Sequence, residues 1–466
     1  MAKNNNLSDF LTDVANSIRR KKGITNKINP QDFASEIESI EVGGGGLEIN
    51  GIIEQYKISA GENISAGDFV EFINNIRTKL GSLYSYVAPS CILLEENKVF
   101  IAYSHGSSYY LYGAIITIDG LSITTTSAQL NSTSNSCKYA PSCVKVGENK
   151  VFIAHSYGSN YHLYGTIVTI DGTTMTATNK ALQTTSNICQ ATPSCILLEE
   201  NKVFMAISGS NKYLYGAIVT IDGTTMTAKI TQLNSTSSSC YYAPSCVKVG
   251  ENKVFIAHSY SSAYYLYGTI ATISGTEMTA KTVQLHSTSN SCYYAPSCIL
   301  LEENKVFIAH AYGSSYYLYG TIVTINEEEM NATSTKLNNT SNSCYQTPSC
   351  ILLEENKVFI AHAYSSKNKI LYVTIANING TEIVSESTDL GKETNSCYYE
   401  PFCIKLEDNK VFVAYSYLST NLYSSMVEIT GTSVNVYAKK YVSLINGVAK
   451  TSGTAGDMIE IYVPNE

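Results

Sequence analysis

Seven near-copies of one unit of about 52 residues run from Pro89 to about Lys440, each anchored on a cysteine: Cys91, Cys143, Cys195, Cys246, Cys298, Cys350 and Cys403. The stretch Cys143-Val-Lys-Val-Gly-Glu-Asn-Lys-Val-Phe-Ile-Ala-His155 recurs almost letter for letter. A fixed period makes each copy one supersecondary unit. Such a unit cannot bury its apolar surface alone and must stack on its neighbours.

Within a unit the punctuation marks four strands. Strand A is Cys143 to Val146, Glu148-Asn149-Lys150 turns into strand B, and Val151-Phe152-Ile153-Ala154 reads as a run buried on both faces. After a polar loop, Ser156 to Asn160, strand C runs from Tyr161 to Ile170 with a β-branched core; Asp171-Gly172 is a hairpin signal, and strand D spans about Met175 to Leu182. The expectation is an all-β fold, a seven-bladed β-propeller of four-stranded blades, with strand A beginning at each anchor cysteine and lining the axis. A helical solenoid fails for want of a 3.6-residue apolar period, and the coils of an open β-solenoid repeat in fewer residues. Blades 2 and 4 share Val-Lys-Val-Gly-Glu-Asn-Lys while blades 1, 3, 5 and 6 share Ile-Leu-Leu-Glu-Glu-Asn-Lys, as duplication of a two-blade unit would leave them.

Charge narrows the partners. A net charge of −8 and only three arginines, Arg19, Arg20 and Arg77, argue against nucleic acid. No apolar stretch reaches membrane-spanning length and Met1 to Phe10 lacks a secretory hydrophobic segment, so the expectation is no membrane insertion and assembly in a bacterial cytoplasm. Six further cysteines, Cys137, Cys189, Cys240, Cys292, Cys344 and Cys397, each precede an anchor by six residues. In a reducing compartment these pairs stay thiols; in an oxidising one they could bridge. No histidine stands at a matching ligand spacing, so no metal is expected.

The ends of the chain differ from the repeats. Leu7, Phe10, Leu11, Val14 and Ile18 share a helical face, Ser8 can cap the start, and a second short helix follows Asn29-Pro30 with Phe33, Ile37 and Ile40 on one side. So little apolar surface needs a partner or further copies of the chain to pack on. Residues 1–42 are thus a helical docking module and Gly43 to Gly46 a flexible linker. The wording from Leu7 to Ile37 resembles the N-terminal module of structural proteins from phages and prophages of Gram-positive bacteria, often tail or baseplate components. That resemblance implies a virion part attached to phage tail or capsid proteins through its N-terminus. Residues 47–80, with Ser65-Ala66-Gly67-Asp68-Phe69-Val70, and residues 443–466 have a cadence similar to the short β domains of phage head and tail proteins. They read as two halves of one small β module interrupted by the propeller, residues 81–442. The alternative is two independent edge strands that close the ring.

No catalytic set stands out. A sialidase-like site needs an arginine cluster and an Asp-box ending in Trp, whereas the propeller has no arginine and the chain has no Trp. The recurring Glu95, Glu96, Asp119 and Asp171 fall in solvated hairpin turns. His155, His258, His310 and His362 share one blade position with Tyr103, Ile207 and Tyr415; a ligand or acid–base place would not accept isoleucine, so they read as packing. No phosphate loop or cofactor fingerprint is present. The expectation is no enzyme and no cofactor.

The 36 tyrosines point elsewhere. In an up-and-down blade the B-to-C and D-to-A loops emerge on one face, the A-to-B and C-to-D turns on the other. The second face is acidic and nearly constant; the first varies and is rich in Tyr, Ser, Gly and Asn, the composition of antibody paratopes. The candidate ligand-binding residues there are Tyr109, Tyr157, Asn160, Tyr260, Tyr264, Tyr312, Tyr316, Tyr364 and Tyr417 from the B-to-C loops, with Tyr139, Tyr242 and Tyr294 from the D-to-A loops. Their phenol rings would stack on sugar faces. Together these expectations describe a phage virion protein, of tail fibre or baseplate, whose propeller binds a bacterial surface glycan or protein for host attachment. The competing class is a decoration protein without a specific ligand.

Overall fold

The computed structural model describes residues 12, 14–16, 18–20, 26–29, 32, 51–58, 63–66, 69–73, 76–119, 122–364, 369–390, 397–417, 420–431, 433–434, 437–440, 447–449, 452–454 and 457–464. The chain forms two compact units, of which the larger comprises Arg77–Asp119 and Ile123–Val434. This unit is a seven-bladed β-propeller of four-stranded antiparallel blades with almost no helix.

In blade 2 the strands are A, Ser142–Gly147; B, Lys150–Tyr157; C, His162–Asp171; and D, Thr174–Gln183. Strand C opens one residue later than its sequence suggests, because Tyr161 takes a left-handed conformation at φ 49°. The A strands touch one another in order around the ring, and Phe402–Glu407 of blade 7 returns to Ser90–Glu95 of blade 1. Strand A is therefore innermost.

The burial pattern explains the composition. Every residue between the flanking Lys and Tyr of strand B is buried, as in Val254, Phe255, Ile256, Ala257, His258 and Ser259, because both its faces meet neighbouring blades. Strand D alternates between exposed and half-buried positions, which suits its Thr-rich sequence at the outer edge. Gly165 on strand C pairs with Ala154, and a Cβ there would lie 2.8 Å from the Phe152 ring and 3.0 Å from Met226 Sδ of the next blade. Glycine is what lets blades 2 and 3 close on each other.

The anchor cysteines stitch neighbours near the axis. Cys143 N–H donates to Ser90 Oγ at 3.1 Å and Cys246 N–H to Ser194 Oγ at 3.1 Å, and Cys298, Cys350 and Cys403 repeat the bond. The upstream cysteines face elsewhere: Cys137 Sγ donates to the Tyr139 carbonyl, so the two thiols of a pair have separate partners, and all thirteen thiols are free. At ring closure the serine is replaced by Phe402, and the stitch is absent there.

Closure comes from the other end of the chain. Blade 7 takes its outer strand from Ile76–Tyr84, which pairs with strand C, Asn421–Thr430; only Ser433–Val434 continues beyond that hairpin. The larger unit accordingly begins at Arg77 and ends at Val434. Tyr437–Lys440, which the repeat count assigns to blade 7, pairs instead with Phe69–Ile73 in the smaller unit.

In that unit Gly51–Ile58 runs antiparallel to Met458–Pro464 over seven paired residues. Residues 14–16 and 18–20 are helical, with Ala15 and Ile18 buried. The expected helix positions Leu7, Ser8, Phe10, Leu11, Phe33, Ile37 and Ile40 and the linker Gly43 to Gly46 lie outside the described residues. Among the described residues no helix is long and apolar enough to cross a membrane.

Candidate functional site

The face formed by the B-to-C and D-to-A loops is organised by a repeated backbone feature. One or two residues before strand C the backbone is left-handed in six blades: Tyr109, Tyr161, Tyr264 and Tyr316 at φ 48–53°, and Lys212 and Lys369 at φ 57° and 43°. Bulky residues avoid this region, at a cost of about 1–3 kcal/mol each. The conformation is held from both sides. Tyr264 N–H donates to the Ser261 carbonyl at 3.1 Å, while its own carbonyl accepts from Cys292 N–H at 2.8 Å. The same carbonyl–cysteine bond recurs at Tyr109, Tyr161, Lys212, Tyr316 and Lys369, so each upstream cysteine ties its D-to-A loop to a B-to-C loop.

Held this way, the rings form a band. From Lys212, whose Nζ lies 4.0 Å from the Tyr241 ring centroid, contacts run through Tyr241–Tyr264 at 5.1 Å and Tyr264–Tyr293 at 4.8 Å. They continue through Tyr293–Tyr316 at 4.9 Å and Tyr316–Tyr345 at 5.4 Å. Tyr242 and Tyr294, from equivalent positions of successive blades, are 6.4 Å apart. Because Tyr241, Tyr293 and Tyr345 precede the innermost strands by only a few positions, the band lies around the axial mouth of this face.

The rings are half-buried. Burial pushes the phenols of Tyr242 and Tyr294 well up, and neighbouring phenols add to the rise, so they remain hydrogen-bond donors at any working pH. Half-exposed rings carrying protonated hydroxyls offer both a stacking surface and donors. That is what a polyhydroxylated ligand requires.

The sequence candidates fall into two groups. Tyr109, Tyr139, Tyr242, Tyr264, Tyr294 and Tyr316 have ring contacts with other loop tyrosines, Tyr109 with Tyr86 and Tyr139 with Tyr161. Tyr157, Tyr260 and Tyr312 instead stack on Tyr164, Tyr267 and Tyr319 of their own strand C at 4.1–4.5 Å, and Tyr364 and Tyr417 lean on Tyr372 and Tyr423. No ring contact joins this second group to the band among the described residues. Asn160 is exposed, and its carbonyl accepts from Asn187 N–H at 2.6 Å. Tyr161 and Tyr86 are absent from the sequence candidates; the first looks like the start of a strand, and the second precedes the first complete repeat.

The recurring histidines are buried, each with Nε2 bonded to a threonine of strand C: Thr166, Thr269, Thr321 and Thr374, at 2.8–2.9 Å. Burial drives the imidazoles of His155, His258 and His362 down to about 4 and that of His310 to about 3. They are neutral packing groups. Among the described residues no cluster of three or more His, Cys, Asp or Glu is placed to hold a metal.

No family model matches the chain, and no curated protein matches it. Solved propellers are similar to it at low identity. AofleA from Arthrobotrys oligospora is 9% identical, with 72% of this chain and 99% of that one covered, at a TM-score of 0.45. A candidate 6-phosphogluconolactonase from Bacteroides uniformis is 10% identical, covering 74% and 99%, at 0.48. NanB, solved with Optactamide, is 12% identical, covering 75% and 69%, at 0.42. Likeness at this level transfers no residue roles. The expectation of no enzyme is withdrawn: the similar propellers include a candidate lactonase, an activity that is said of that protein alone. A single arginine in the propeller, Arg77, and the lack of tryptophan tell against one kind of sialidase-like site, not against every chemistry a propeller can host.

Proposed function

We propose that the tyrosine band recognises a bacterial surface glycan, in a virion protein of tail fibre or baseplate. The observation that carries this reading is the set of four left-handed tyrosines at equivalent positions, Tyr109, Tyr161, Tyr264 and Tyr316. The left-handed turn does not depend on the ring it carries, because Lys212 and Lys369 take it in blades 3 and 6. Tyrosine at the other four places is accounted for if rings must be presented there in a fixed orientation. A sugar face would stack on a ring, and the phenol hydroxyls would donate to its oxygens.

The virion assignment is supported by the wording of residues 7 to 37, which resembles phage and prophage structural modules. In this reading the helical segment docks onto tail or capsid proteins or onto further copies of the chain, and residues 47–80 with 443–466 form one small β module. The pairing of Gly51–Ile58 with Met458–Pro464 supports that module. Each single site can be weak, since several copies on one particle raise the effective concentration.

The experiment is a glycan array carrying polysaccharides of Gram-positive cell surfaces, probed with the full chain. Saccharide-dependent signal is expected, reduced at least about tenfold in Tyr264→Ala, as for an anchor worth more than about 1.4 kcal/mol. Signal that is absent throughout, or indifferent to Tyr264, Tyr294 and Tyr316, overturns the reading.

A further inference from the structure

The band is not seven-fold symmetric, and the break has a chemical sense. In the loop before blade 6 the position held by Tyr242 and Tyr294 becomes Gln346, and in the loop before blade 7 the alanine ahead of the proline becomes Glu400. Gln346 Nε2 donates to the Tyr398 carbonyl at 2.8 Å, which fixes the amide and leaves its buried Oε1 without a donor. Glu400 is two residues further on and half-buried; apart from its own backbone N–H it has no hydrogen-bond or ion-pair partner among the described residues. The nearby cation is engaged elsewhere: Lys369 Nζ lies 3.6 Å from the Tyr398 ring centroid and 3.4 Å from the Tyr398 carbonyl. Tyr399 completes the corner, 5.1 Å from the Tyr398 ring and close to Tyr86 and Tyr109 of the adjoining blade.

One acceptor without a donor, the Gln346 Oε1, and a carboxylate bonded only to its own backbone N–H therefore sit beside tyrosine rings on the ligand-facing side. Unpaired acceptors in a partly desolvated place cost free energy until a donor arrives. Lysine already lies against tyrosine faces at three points of the same loops, over Tyr109, Tyr241 and Tyr398. The local chemistry accepts ammonium groups.

We propose that the Gln346–Glu400 corner selects a saccharide bearing a free, protonated amino group, a hexosamine that is not N-acetylated. The inference rests on the glycan-binding reading above. The ammonium is held by the Glu400 carboxylate and the Gln346 carbonyl while the sugar ring lies against Tyr399. Burial raises the Glu400 carboxyl above its ordinary range, with the Lys369 ammonium opposing the rise. Discrimination for the amine is accordingly present when the carboxyl is ionised and lost as pH falls through that raised value.

The test is calorimetric titration of the full chain with a glucosamine tetramer and, separately, with its fully N-acetylated counterpart. The free-amine tetramer should bind at least about tenfold more tightly, and Glu400→Gln, which keeps the shape of the side chain, should erase that ratio without lowering thermal stability. Gln346→Ala should weaken the free-amine tetramer alone. Equal affinity for the two tetramers, or a ratio untouched by Glu400→Gln, overturns the corner while leaving glycan recognition standing. Absence of binding to both overturns the amine proposal, and the array result then decides separately on glycan recognition.

Discussion

Tyrosine in the left-handed region is the residue-scale fact on which the account turns. Asparagine adopts that region with much less strain, so Tyr264→Asn should raise stability or leave it unchanged while weakening ligand binding. A thermal melt paired with a binding titration checks this; a destabilisation of about 2 kcal/mol or more would mean that the ring is needed for folding. The buried histidines give a second residue-scale outcome. Their native values near 3–4 lie below the unfolded value of 6.5, so the unfolded state binds more protons below that value. Their penalty is absent above about pH 6.5 and grows as pH falls toward about 4. Blade 3 shows how to remove one, because Ile207 and Ala217 stand where other blades have His and Thr. The pair His258→Ile with Thr269→Ala should make melting temperature less steep between pH 6.5 and 4.5, and an unchanged slope would refute the assignment. These roles were only partly legible in sequence. Isoleucine at an equivalent position told against a ligand role for the histidines, but backbone sign at Tyr161 or Tyr264 leaves no local mark, since tyrosine is ordinarily a strand residue.

At the scale of elements, the blades were readable because their pattern is local: a buried run, a turn, an alternating edge. Strand B announces itself by Val-Phe-Ile-Ala, and strand C by β-branched residues after a glycine. The outer strand of blade 7 was not readable. Ile76–Tyr84 pairs with Asn421–Thr430, and nothing in Ile-Arg-Thr-Lys-Leu-Gly-Ser-Leu-Tyr repeats the Thr-rich D strands. Its role is settled by ring closure, a contact across nearly the whole chain. Removing residues 1–46 should therefore leave the propeller's cooperative melt in place, whereas removing residues 1–84 should abolish it; retention in the second case would show that blade 7 closes without this strand. Packing between blades is equally specific. A methyl group at Gly268 would lie 2.8 Å from the Phe255 ring and 3.0 Å from Met330 Sδ, so Gly268→Ala should cost about 1–3 kcal/mol in chemical denaturation.

For the whole molecule, the ring converts seven similar loops into one surface. The division into an acidic, repetitive face and a varied, tyrosine-rich face was legible from loop composition. The grouping of the tyrosines was not, because residues near in sequence separate in space: Tyr260 stacks on strand C while Tyr264 joins the band. The Gln346–Glu400 corner shows how repeated units become unequal, with two substitutions in successive loops supplying an amide oxygen without a donor and a carboxylate bonded only to its own backbone N–H. The central claim is that this face, and not its opposite, recognises the ligand. The most direct test immobilises a polysaccharide that scores on the array and compares two full-length variants by surface plasmon resonance. One carries Tyr264→Ala, Tyr294→Ala and Tyr316→Ala; the other carries Glu96→Gln, Asn97→Gly and Asp119→Asn on the opposite face. The account predicts that the first loses at least about a hundredfold in affinity and the second stays within about twofold of the parent. Loss in the second variant with retention in the first would contradict it.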